Sequence, residues 1–195
     1  MIKKSLIFLI LLGVCFAQQK KLQYDFRKTR WGMSMKDIIQ AEGKPDTIMT
    51  LDAHRKLMIY DNRTIASKKT LIGYILAYNQ LVRANYLFKI SHSNTNLYMQ
   101  DYQEIKKLLQ AKYGKPKEDE VIWLNDLYKD DPEHWGFAIS MGHLRYFASW
   151  DLPRTEITLI LYGDNFKINL RLEYVSKTLR DLEEKAKKES ALEEF

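Results

Sequence analysis

A chain of 195 residues, 46% hydrophobic and 29% charged, has the balance of a folded protein and excludes a disordered or collagen-like one. Its formal charge of +6 is mild, and basic residues alternate with acids apart from short groups such as Arg27-Lys28 and Lys68-Lys69, so no nucleic-acid stripe is present. The one cysteine, Cys15, excludes a disulfide framework within the chain and a cysteine metal site.

The chain begins "MIKKSLIFLILLGVCFA", with two lysines, an apolar stretch from Leu6 to Val14 and small residues before "QQKK". That pattern predicts a secretory signal peptide over 1–17, cleaved after Ala17, with a stretch too short to span a bilayer comfortably. The competing reading makes Cys15 a lipid-modified first residue. Val14 matches a lipobox poorly, so membrane contact is expected only if Cys15 is lipidated. Residues 18–30 read as an extended N-terminal segment.

"WGMSMKDIIQAEGKPD" predicts a short helix. Ser34 caps it, Asp37 is its acidic partner, and Met35, Ile38, Ile39 and Glu42 fall at helical spacing. Gly43 ends it and Pro45 prevents continuation. "KLMIYD", "TLIGYILAYN" and "QLVRANYLFKI" predict strands, the last two paired around Asn79-Gln80. In the last, Val82, Ala84, Tyr86, Phe88 and Ile90 are expected on one face, and Leu81, Arg83, Asn85, Leu87 and Lys89 on the other. A second helix follows in "LYMQDYQEIKKLLQAKYG", with Asp101 on its mostly apolar stripe, and ends at Gly114 and Pro116 in the same manner. "EVIWLN", "WGFAISMG", "HLRYFASWD", "TEITLILYG" and "FKINLRLEYVS" predict strands, the last pair turning at Gly163-Asp164-Asn165. "SKTLRDLEEKAKKESALEEF" predicts a charged helix. Leu179 and Leu182 would dock its first turn, and the part beyond Glu183 would fray or project into solvent.

"DIIQAEGKP" and "KLLQAKYGKP" are nearly the same phrase, about seventy residues apart. The order of elements after each is also similar. The expected fold class is therefore α+β. It comprises two tandem helix-plus-antiparallel-sheet units, over 31–92 and 93–176, with helices on one sheet face and a charged helical tail over 177–195.

"RWGMSMKDIIQAEGKPD" resembles the opening of a helix-plus-sheet module of small secreted bacterial proteins. The tandem form resembles the beta-lactamase inhibitor protein, and the single form the small lipoprotein subunit of the outer-membrane barrel assembly machine. "FRKTRWGMS", "KYGKP", a following Trp and the closing "LEYVS" resemble an uncharacterised family of exported bacterial proteins. The resemblance covers most of 24–176. It implies helices packed on one face of an antiparallel sheet and, by analogy alone, a protein partner.

Little in the chain points to catalysis. His54, His92, His134 and His143 show no metal-ligand spacing, and Gly-x-Ser-x-Gly and a phosphate loop are absent. "DDPEH" reads as a solvated loop, and Glu156 and Glu173 as surface strand charges with no demanded acid–base role. No enzyme, cofactor or metal is expected. Candidate binding residues are Tyr74, Tyr78, Arg83, Arg145, Phe147 and Trp150, because an open sheet face bearing Tyr, Trp and Arg is what interfaces use for anchors. The same rings could instead fill the core. Trp31 is expected in the core, packing the helix entrance. The resulting expectation is an exported, periplasmic or envelope protein that binds or assembles with a protein partner without catalysis. The alternatives are a small apolar-ligand carrier of the envelope, or a hydrolase with an unrecognised site.

Overall fold

The computed structural model describes residues 24–193. The expected signal peptide, Cys15 and the Ala17 cleavage point lie outside the described residues, as do the last two residues.

Ser34 opens α1 (Met35–Glu42). Its hydroxyl accepts from the Asp37 backbone N–H while the Asp37 carboxylate accepts from the Ser34 N–H. This reciprocal box satisfies donors that a first helical turn leaves free. Gly43 ends α1 at φ 90°, ψ −176°, and Gly114 ends α2 (Leu97–Tyr113) at φ 85°, ψ −168°. Such positive φ values favour glycine. Pro45 and Pro116 are both buried. A strand aromatic donates to each glycine carbonyl at 2.8 Å: the Tyr60 hydroxyl to Gly43 and the Trp150 indole N–H to Gly114. The two similar phrases thus share backbone shape and the same kind of partner.

The strands are β1 (Thr47–Thr50), β2 (Arg55–Ile65), β3 (Lys68–Ala77), β4 (Gln80–Phe88), β5 (Glu118–Trp123), β6 (Leu144–Asp151), β7 (Thr155–Asp164) and β8 (Lys167–Ser176). They form one antiparallel sheet in the order β1-β2-β3-β4-β8-β7-β6-β5. The fold is α+β. Read from either edge, the order runs through four successive strands to a central seam, where Tyr86 of β4 faces Leu172 of β8. The hairpins beside the seam turn at Tyr78-Asn79 and Asn165-Phe166, with φ of 47° and 60° in one and 48° and 60° in the other. Two-residue turns with positive φ throughout suit the right-handed twist of strands. Each turn lies one residue or so from its expected place.

The front face of the sheet holds the core. Ile38 of α1 and Tyr102, Ile105 and Leu109 of α2 pack with Tyr74, Tyr86, Leu159, Leu172 and Trp150 of the strands, and Trp31 joins them as expected. Asp101 is buried among these helix residues but is held by Lys68 and by His92, each at 2.5 Å.

Three expectations are corrected. "WGFAIS" forms a helix, α3 (Trp135–Ser140), after a short 3-10 turn at Pro132–His134. It presses so close to β7 that a Cβ at Gly163 would stand 1.8 Å from the Ile139 carbonyl oxygen. A register shift in the β3–β4 ladder beside Val82 puts an extra residue in β4, so Val82 joins Ala77 in a separate small cluster and Leu81 turns into the main core. The charged tail does not fray at Glu183. Helix α4 (Arg180–Leu192) lies on the reverse face of β3 and β4, with Ala186 buried against Ala77 and Val82. Small residues suffice there because the helix comes close.

Candidate functional site

Tyr74 is fully buried and Trp150 is 2% exposed, both in the front-face core. Neither can meet a partner, which corrects the expectation for these two residues. Along β6, Tyr146, Ala148 and Trp150 lie on the covered side of the sheet, and Arg145 and Phe147 on the other.

Tyr78 and Arg83 face α4. The Tyr78 hydroxyl donates to the Glu189 carboxylate, and its ring stacks on His54 with centroids 4.8 Å apart. The hydrogen bond pushes the Tyr78 phenol up to about 12 and holds the Glu189 carboxyl below its ordinary value. The Arg83 guanidinium bridges Glu183 of α4 and Glu173 of β8, each at 3.0 Å. Burial lowers its pKa, but the hydrogen bond to Glu183 and both carboxylate charges more than offset this, and the net shift is upward. Both residues therefore dock a helix of the same chain.

Arg145 and Phe147 stand on the reverse face where α4 does not reach. There one row of directly opposed residues crosses the sheet: Leu71, Leu87, Arg171, Ile160, Phe147 and Glu120. The four central members are half-buried. Arg145 sits opposite Ile122, and the Arg171 guanidinium lies 5.9 Å from the centre of the Tyr162 ring. Neither Arg145 nor Arg171 pairs with a carboxylate among the described residues, and the Nε of each is buried without a hydrogen-bond partner. By contrast Glu156 is held by Arg180 and Glu173 by Arg83, so no free acid pair exists at those positions. The surface is an apolar strip carrying two guanidinium groups with no carboxylate partner among the described residues. Sequence reasoning missed Arg171, Ile160 and Tyr162. Their alternation was visible, but nothing local said that their side of β7 and β8 stays uncovered.

The histidines are dispersed: His134 pairs with Asp131 at 2.7 Å, and His143 lies by Tyr128. Among the described residues no group of three or more His, Cys, Asp or Glu could hold a metal, and no helix is long and apolar enough to cross a membrane.

No protein-family model and no curated protein sequence matches the chain. Among solved structures it is similar to an extracellular protein containing an SCP domain from Bacillus anthracis, with TM-score 0.37 and 14% identity over 83% of this chain and 50% of that one. It is also similar to a cysteine-rich secretory protein from Staphylococcus aureus, with TM-score 0.35 and 8% identity over 76% of this chain and 45% of that one. The chain spans about half the length of these structures. At such scores the likeness carries no functional argument.

Proposed function

We propose that the chain is an exported, non-enzymatic binding protein whose partner docks on the open reverse face of β5–β8. The N-terminal pattern of lysines, apolar run and small residues supports export. The observation that carries the binding role is the pair Arg145 and Arg171, each half-buried on an apolar strip and paired with no carboxylate among the described residues. The partner is a protein segment bearing carboxylates on an apolar face. Helix α4 gives the precedent on this same side of the sheet: it seats Ala186 on apolar residues and offers Glu183 to Arg83. An uncompensated guanidinium beside buried apolar surface is the kind of anchor that gains most when a partner desolvates it.

The test compares wild type with the double variant Arg145→Glu/Arg171→Glu in affinity capture from the cell envelope of the source organism. The reading expects a partner held by wild type and lost from the double variant, with the two proteins melting within a few degrees of each other. Equal capture by both would overturn it. Mass spectrometry of the captured bait reads its N-terminus and so tests export in the same experiment.

A further inference from the structure

On the front face, away from that surface, a cleft of about 960 Å³ opens between the N-terminal segment, the end of α2 and the β6–β7 turn. Phe26, Tyr86 and Tyr174 make its floor, with the Phe26 ring centre 4.9 Å from that of Tyr86 and 5.0 Å from that of Tyr174. Tyr113 forms one wall, and cations gather at the mouth. Two of them are neutralised internally: Arg27 by Glu42 at 3.1 Å and Arg154 by Asp25 at 3.0 Å. The other two, Lys28 and Lys112, have no carboxylate partner among the described residues, and the Lys112 ammonium lies 4.9 Å from the centre of the Tyr113 ring.

The phenols in the cleft are short of acceptors. The hydroxyls of Tyr113 and Tyr174 are 3.4 Å apart, so one can donate to the other and one proton is left over. Tyr86 has the Arg27 guanidinium as a polar neighbour, and a guanidinium cannot accept. Burial pushes Tyr86 up to about 12 and Tyr174 higher still, so both keep their protons and remain donors. A volume near 1,000 Å³ is that of a site for a molecule of drug or lipid-chain size.

We propose that this cleft binds an amphipathic organic anion, with its apolar body on the tyrosine floor and its carboxylate or phosphate between Lys28, Lys112 and the phenol hydroxyls. The positive charge and spare donors select for the anionic head, and the aromatic floor selects for the apolar body. A free amphiphile and the headgroup of an anionic phospholipid share this chemistry.

The probe is anilinonaphthalene sulfonate, titrated by fluorescence against the full chain. One dye per chain should bind. Laurate and dodecyl phosphate should displace it, while neutral dodecyl maltoside should not at equal concentration. Lys28→Glu/Lys112→Glu should weaken dye binding about tenfold or more, and Tyr113→Phe by a smaller factor, with unchanged melting of both variants. Displacement by phosphatidylglycerol vesicles as well as by laurate assigns the anion to a membrane lipid, and displacement by laurate alone assigns it to a free amphiphile. Equal competition by the maltoside, or unaltered binding by the double lysine variant, would overturn the proposal. Arg145→Glu/Arg171→Glu should leave dye binding unchanged. If that variant abolishes binding, the dye sits on the reverse face and the cleft is not its site.

Discussion

At Gly163 a methyl group would have to displace the backbone of α3, since its Cβ would meet the Ile139 carbonyl oxygen at 1.8 Å and the Ser140 Cα at 2.7 Å. Gly43 and Gly114 are different: nothing lies within 4 Å of a Cβ there, and only their positive φ opposes a side chain. Gly163→Ala should therefore cost about 3 kcal/mol or more through a clash with backbone, and Gly43→Ala about 1–2 kcal/mol through local strain. Urea unfolding of the two variants checks the ranking. The helix-ending role of Gly43 and Gly114 is legible in the sequence, because the Pro two positions on gives it away. The role of Gly163 is not, because its neighbour is a helix almost twenty-five residues back in the chain. Tyr74 and Trp150 show the same divide. Alternation assigns each to a face, but which face is covered depends on elements elsewhere.

Among the elements, α1 and α2 could be read from caps and periodicity, which are local signals. The helix α3 could not, since "WGFAIS" is short and rich in residues that suit strands, and six residues cannot show a helical period. It is fixed by packing on β7 rather than by propensity. Helix α4 was legible as a helix, but its docking beyond Glu183 was not. Its buried residues are Glu183, Ala186 and Ser190, which no hydrophobic pattern reports. Its docking should depend on pH. Glu189 is depressed in the folded chain by the Tyr78 hydrogen bond. It thus adds stability above its ordinary value of 4.5, and that contribution is lost as pH falls through the lower folded value. Tyr78→Phe should accordingly melt below wild type at neutral pH, and the gap should close as the pH falls below 4.5 and through the lower folded value. A gap independent of pH would show that the ring, and not its hydroxyl, holds the helix.

Across the whole molecule the two helix-plus-strand sets share one sheet and one core, joined at β4 and β8. The N-terminal segment ties them further. The Trp31 indole donates to the Thr155 hydroxyl at 2.9 Å, and Asp25, whose carboxylate accepts from the Trp31 N–H, pairs with Arg154. Unfolding should then be a single transition. Leu172→Ala at the seam should remove about 2–5 kcal/mol while circular dichroism and tryptophan fluorescence still report one coincident midpoint. Separate midpoints would mean that the halves unfold independently. The repeated phrase says nothing of the joining of β4 to β8 at a common seam, because strand pairing between distant segments leaves no mark in local spacing.

The two borders of the sheet are unlike. Strand β1 is Thr-Ile-Met-Thr, with Ile48 46% and Met49 47% exposed, whereas β5 begins Glu118-Asp119-Glu120. An uncharged border invites another strand and an acidic one repels its like. A β1-to-β1 pairing of two molecules would cover both uncharged margins, whereas the acidic start of β5 disfavours pairing with its like. Met49→Lys should abolish any concentration-dependent rise in mass seen by light scattering. The acidic opening of β5 thus disfavours growth of a fibre from that border.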